Sequence, residues 1–197
     1  MKMKLKANCS IVRIVRLFDC GRVVRCAIMA ALCAVGLAAF AAEPDAVQLW
    51  ADGPYWATCN VGAEKPADYG ILTNFNDAAQ AVTNALGEGW RLPTDQEFND
   101  LLSYCEKNSE TCKDGTGADR AGWRFTGKGD YSSNSIFLPA AGFDAGRGRM
   151  GAGGSYWSST ERDLYNAWIL DFVEGDVCVR YGPCDRGMSV RAVRDAK

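Results

Sequence analysis

Histidine is absent from all 197 residues. This removes the side chain most often used as a general base and as a transition-metal ligand. Ser-His-Asp, Cys-His and zinc-protease mechanisms are therefore excluded, and catalysis would have to rest on carboxylates, Cys, Tyr, Lys or Arg. No repeat, low-complexity array or Pro/Ser-rich linker divides residues 43–197, so one domain is expected there. Positive charge is also scarce beyond the N-terminus. Residues 1–41 hold seven Lys/Arg against Asp19 alone, which leaves 15 basic and 23 acidic of the chain's 22 and 24, a net of −8. That balance disfavours a nucleic-acid or anionic-membrane partner, because phosphate binding draws on clustered positive charge. Disorder is disfavoured too, since 48% hydrophobic and 23% charged residues is an ordinary globular composition.

The basic N-terminus has an order of its own. Lys and Arg residues from Lys2 to Arg25 precede an uncharged run, Cys26 to Ala42, that is shorter than the roughly 20 residues of a permanent membrane helix. The run ends in small residues with Ala39-Phe40-Ala41 as an A-x-A match. This is the sequence of a Sec-type signal peptide over residues 1–41, with cleavage after Ala41 or, alternatively, Ala42. Uncleaved, the segment would be the chain's one membrane anchor. Ala30-Ala31-Leu32 before Cys33 lacks the small residue that lipidation requires. The mature domain, residues 42–197, is expected in the periplasm, at the cell surface or in the medium.

Such compartments permit disulfides. Five cysteines follow the cleavage site, an odd number, so at least one thiol is free or paired outside the chain. Spacing favours local bridges Cys105–Cys112 and Cys178–Cys184; the alternative makes Cys59 and Cys105 small buried hydrophobes.

Turn signals and periodicity place the elements. Val47–Trp50 and Trp56–Val61 read as short strands around Asp52-Gly53-Pro54. Asn74–Leu86 reads as a helix capped by Thr73 or Asn74, with Ala78, Ala81, Val82 and Ala85 apolar and Gly87 as its stop. Thr94-Asp95-Gln96-Glu97 after Pro93 is a capping box, and Phe98, Leu101, Leu102 and Cys105 then share one helical face. Later, Trp123–Thr126, Ser135–Pro139, Tyr156–Ser159, Ala167–Phe172, Val177–Tyr181 and Ser189–Val193 are strand-like. Helices early and strands late predict an α+β fold with mostly antiparallel strands.

Between Ala141 and Ser155 six glycines leave little to pack. This loop is the expected binding surface, through Phe143, Asp144, Arg147 and Arg149, with Tyr181 and Arg186 of the last hairpin as a second edge. Arginine suits carboxylate, sulfate or sugar hydroxyl groups. Gly146-Arg147-Gly148-Arg149 is no Walker phosphate cradle and reads as a flexible loop. Asp171 with Glu174 or Asp176 has the composition of a glycosidase acid and base, although acids around a tight turn are more often solvated.

Several ordered blocks carry a family resemblance. Trp56–Ala63, Trp90-Arg91-Leu92-Pro93-Thr94 with Glu97-Phe98, Ser135–Gly142, Tyr156-Trp157-Ser158-Ser159 and Ser189-Val190-Arg191 resemble the Fibrobacter succinogenes major paralogous domain over about residues 47–194. The resemblance implies a C-type-lectin-like architecture: two helices packed on short strands with long irregular loops. It implies core or scaffold roles for Trp90, Leu92, Phe98, Phe137, Leu138 and Trp157, helix entry at Pro93-Thr94, and an ion-pair network of Arg91, Glu97 and Arg191. The Trp90–Phe98 block is also similar to formylglycine-generating enzymes, for whose copper-binding pair only Cys178 and Cys184 are available, with a spacing that departs from that pattern. The Glu-Pro-Asn and Trp-Asn-Asp tripeptides of calcium-dependent sugar-binding lectins are missing. The expectation is therefore a non-catalytic module, with no cofactor or metal, that binds an extracellular or surface ligand, protein or carbohydrate. The alternatives are a formylglycine-generating-like cysteine oxidase and a structural component of the envelope or a surface appendage.

Overall fold

A computed structural model describes residues 45–144, 149–173 and 175–196. The signal segment over residues 1–41 and Arg147 lie outside the described residues. Among the described residues the architecture is α+β, with three sheets and two α-helices. The first sheet runs β1 (Ala46–Gln48), β2 (Tyr55–Ala57), β12 (Val193–Arg194), β4 (Trp90–Arg91). The second runs β10 (Asp176–Pro183), β9 (Asn166–Val173), β8 (Gly153–Asp163), β11 (Met188–Ser189), β3 (Leu72–Thr73). The third runs β5 (Glu106–Lys113), β6 (Asp119–Thr126), β7 (Ser135–Pro139). Strand pairing is antiparallel except for β11 on β8 and the isolated Gly142–Gly154 bridge.

Both helices start where their caps dictate. Helix α1 spans Phe75–Leu86, with Asn74 Oδ1 accepting from the Asp77 N–H at 3.0 Å and Gly87 ending it. Ala78 and Val82 are buried, but Leu86, and not Ala85, completes the inward stripe. Helix α2 spans Asp95–Tyr104. Its capping box is complete, with Glu97 N–H donating to Thr94 Oγ1 at 3.1 Å and Thr94 N–H donating to Glu97 Oε2 at 2.7 Å.

Two apolar cores form. One joins Phe98 and Leu101 of α2 to Trp56, Phe125, Leu138, Tyr156, Leu170 and Phe172; the other joins α1 to Trp90, Leu92, Trp157, Ile169, Met188 and Val190. Each buried large apolar side chain contributes roughly 1.5–3 kcal/mol. Trp90, Leu92, Phe98, Phe137, Leu138 and Trp157 are all buried, as their motifs imply.

The expected three-way ion-pair network is corrected. Arg91 pairs with Glu97 at 2.7 Å and with Asp195, but Arg191 takes no part. Arg191 is fully buried. Its guanidinium donates to Asn60 Oδ1, to the carbonyls of Ala57 and Thr58, and to the carbonyl of Phe137 across the core. A network with Glu97 would have kept it at the surface, whereas strand packing carries it inward to Asn60 and backbone carbonyls.

The two expected local bridges are corrected: neither Cys105–Cys112 nor Cys178–Cys184 forms, and Cys59, Cys105, Cys112, Cys178 and Cys184 are unbridged among the described residues. The reason is secondary structure. Cys105 ends α2 and Cys112 sits near the far end of β5, while Cys178 and Cys184 are separated by the length of β10. At roughly 3.3 Å per extended residue each pair stands about 20 Å apart, well beyond the reach of a bridge.

Candidate functional site

Strand alternation builds the site. In β9, Leu170 and Phe172 face the α2 core, which turns Ile169 and Asp171 to the opposite side. Register then places Ser155 of β8 and Cys178 of β10 on either side of Asp171. Arg180, two residues beyond Cys178, shares that face. Asp171 is 3% exposed. It accepts from Ser155 Oγ at 2.5 Å, pairs with Arg149 at 3.3 Å and pairs with Arg180 as well.

Arg149 arrives from the end of the Gly-rich loop, which is anchored on both sides of the segment outside the described residues. Gly142 N–H donates to the Gly153 carbonyl at 2.9 Å and Asp144 N–H to the Gly187 carbonyl at 2.7 Å. The Arg149 carbonyl accepts from Ala152 and Gly153 at 2.9 and 2.8 Å. Its guanidinium also lies 5.3 Å from the centre of the Phe143 ring, within cation–π range. Both Asp144 and Arg149 have left-handed backbones, φ 54° and 56°, a conformation that costs a non-glycine residue about 1 kcal/mol or more. Arg186 closes the far side. It pairs with Asp144, whose other oxygen accepts from Gly187 N–H at 2.9 Å, and the hydrogen bond to Asp144 raises the Arg186 pKa above its ordinary value.

The result is a cavity of about 340 Å³ lined by Phe143, Arg149, Asp171, Arg180, Tyr181 and Arg186 among others. Three guanidinium groups, those of Arg149, Arg180 and Arg186, converge on the carboxylates of Asp171 and Asp144 in an acidic domain. Burial of Asp171 against Ser155 orders Arg149 and Arg180, so planar donors are in place before a ligand arrives.

Of the expected ligand residues, Phe143, Arg149, Tyr181 and Arg186 line this groove, and Asp144 orients Arg186. Tyr181 enters differently from expectation. Alternation turns its ring to the side of Trp168, with the Arg162 guanidinium 3.3 Å from the ring centre. Arg180 and Ser155 were missed, and Asp171 was read only as a turn acid or one of a catalytic pair. Asp171 is no solvated turn acid; a lone carboxylate inside the apolar run Ala167–Val173 is the signal that it is buried and partnered. Among the described residues, no group of three or more Cys, Asp or Glu side chains is gathered to hold a metal.

The class defined by fold and site is a small α+β domain of three sheets whose loop and last hairpin converge in an arginine-lined groove. The chain belongs to the Lcl C-terminal domain family, which matches residues 50–194. Neither a curated protein nor a solved structure matches it.

Proposed function

We propose that the protein is an exported, non-catalytic binding module that takes an acidic group of a surface or extracellular ligand, protein or carbohydrate, into the arginine groove. One observation carries the reading: Arg149 and Arg180 share a single, almost fully buried carboxylate, with Arg186 beside them. Guanidinium groups held in this way lose little freedom on binding and present multidentate donors to carboxylate or sulfate. The left-handed backbone at Arg149 supports a constraint set by function. The oxidase alternative loses its support with Cys178 and Cys184, which cannot meet across the length of β10.

The finer fold reading is C-type-lectin-like, related to the Fibrobacter succinogenes major paralogous domain. It rests on the motif blocks Trp90–Thr94, Ser135–Gly142, Tyr156–Ser159 and Ser189–Arg191, which contribute to the two cores and the Arg191 cage. Export rests on the charge order of residues 1–41; N-terminal sequencing of protein from the producing cell should begin at Ala42 or Glu43, and an intact Met1 terminus in membranes would contradict cleavage.

The groove is tested with Arg149→Ala combined with Arg186→Ala. This pair leaves Arg180 and Ser155 on Asp171, so no buried charge is orphaned. Thermal stability should change little, while binding to ligands captured from a glycan array or host-surface extracts should fall at least about tenfold, ~1.4 kcal/mol. Unchanged binding to such a ligand would remove the groove from consideration.

A further inference from the structure

A second concave surface forms where the turn after β1, the end of α2 and the 3-10 turn Gly129–Tyr131 meet. Its cavity of about 380 Å³ is lined by Trp50, Ser103, Tyr104, Lys128, Asp130 and Tyr131 among others. This size lies within the ~300–1,000 Å³ of small-ligand sites. Tyr104 is 53% exposed, and its ring centre lies 5.7 Å from that of Trp50.

The aromatic groups are fixed from behind. Trp50 packs 6.3 Å from the buried Trp56. A Cβ at Gly53 would stand 2.5 Å from the Trp50 indole, and one at Gly127 would stand 2.5 Å from the Leu49 carbonyl and 2.6 Å from Tyr131 Cβ. Only glycine at these positions lets both turns close on the platform. Gln48 Nε2 donates to the Gly53 carbonyl and Asn134 Nδ2 to the Gln48 carbonyl, each at 2.8 Å, which ties the turns to β1.

Polar groups rim the rings. Lys128 and Asp130 are exposed, and among the described residues neither enters an ion pair. One cation and one anion give the rim no net charge, in contrast to the arginine groove.

We infer that this platform binds a neutral sugar, taking one pyranose ring of an uncharged saccharide against Tyr104. A pyranose has an apolar C–H face and a rim of hydroxyls that both donate and accept. The aromatic face takes the first, while the Lys128 ammonium donates to the rim and the Asp130 carboxylate accepts from it. An acidic ligand would meet Asp130. A proline-rich peptide also docks on aromatic grooves, but proline lacks the N–H that Asp130 would need. The site is separate from the arginine groove: α2 packs on the face of Leu170 and Phe172, and Asp171 lies on the other. Its success or failure is therefore independent of that reading.

The experiment applies the full-length protein to an array of neutral oligosaccharides and titrates any captured sugar by calorimetry. At least one neutral sugar should bind, and the binding should persist at high salt. Tyr104→Ala should weaken it roughly tenfold or more, Tyr104→Phe by less than about threefold, and Asp130→Asn measurably. The Arg149→Ala, Arg186→Ala variant should bind it as the parent does. The inference is overturned if no neutral sugar is captured, if Tyr104→Ala binds normally with its fold intact, or if the platform takes a proline-rich peptide in place of a sugar.

Discussion

Arg191 places a full charge in the interior, and among the described residues no carboxylate pairs with it. Burial pushes its pKa down to about 10, and five hydrogen bonds from its guanidinium to Asn60 and three carbonyls keep it charged at neutral pH. Lysine has three donors on a single nitrogen and cannot span acceptors on both sides of the core. Arg191→Lys and Arg191→Met should each lower stability by about 3 kcal/mol or more, read as a lower urea midpoint with an unchanged slope. A midpoint equal to the parent's would contradict the cage. Sequence reasoning identified Arg191 as structural but paired it with Glu97. Its true acceptors are mostly backbone carbonyls, which every residue has and no sequence pattern marks.

Elements were legible where local chemistry decides them. The caps of α1 and α2 and the strand Ser135–Pro139 follow from residues only a few positions apart. β5 was missed because Glu106–Lys113 is polar throughout and takes its conformation from pairing along β6. The two-residue strands β3 and β4 were missed because only tertiary pairing creates them. Where α2 begins, Glu97 makes a pH prediction possible. Burial alone would raise its carboxyl pKa, but hydrogen bonds from Arg91 and the Thr94 backbone bring the net value below the ordinary 4.5. A carboxyl depressed in the folded state contributes its stability in full above the ordinary value and loses it as pH falls through the lowered one. As pH falls below the ordinary 4.5 the parent should therefore lose more stability than Glu97→Gln, measured by chemical unfolding. Parallel curves for the two proteins would show that the pair contributes nothing.

At the scale of the whole molecule, the site was half legible. An arginine in a glycine-rich loop and another in the last hairpin are visible as charges with little to pack against, and the fold brings Arg149 and Arg186 into one groove. Asp171, Ser155 and Arg180 depend on the register of three strands, β8, β9 and β10, which separate segments of the chain must meet to define. Extended strands likewise separate cysteines that are near in sequence: β5 keeps Cys105 from Cys112, and β10 keeps Cys178 from Cys184. The central claim is that β8, β9, β10 and the loop end form one surface for acidic groups. It is tested most directly by following backbone amide chemical shifts of the isotope-labelled protein during titration with a sulfated oligosaccharide. The largest changes should fall at Phe143, Arg149, Ser155, Arg180 and Arg186, and they should be lost in the Arg149→Ala, Arg186→Ala variant. Changes centred elsewhere, or identical titrations of parent and variant, would contradict the account.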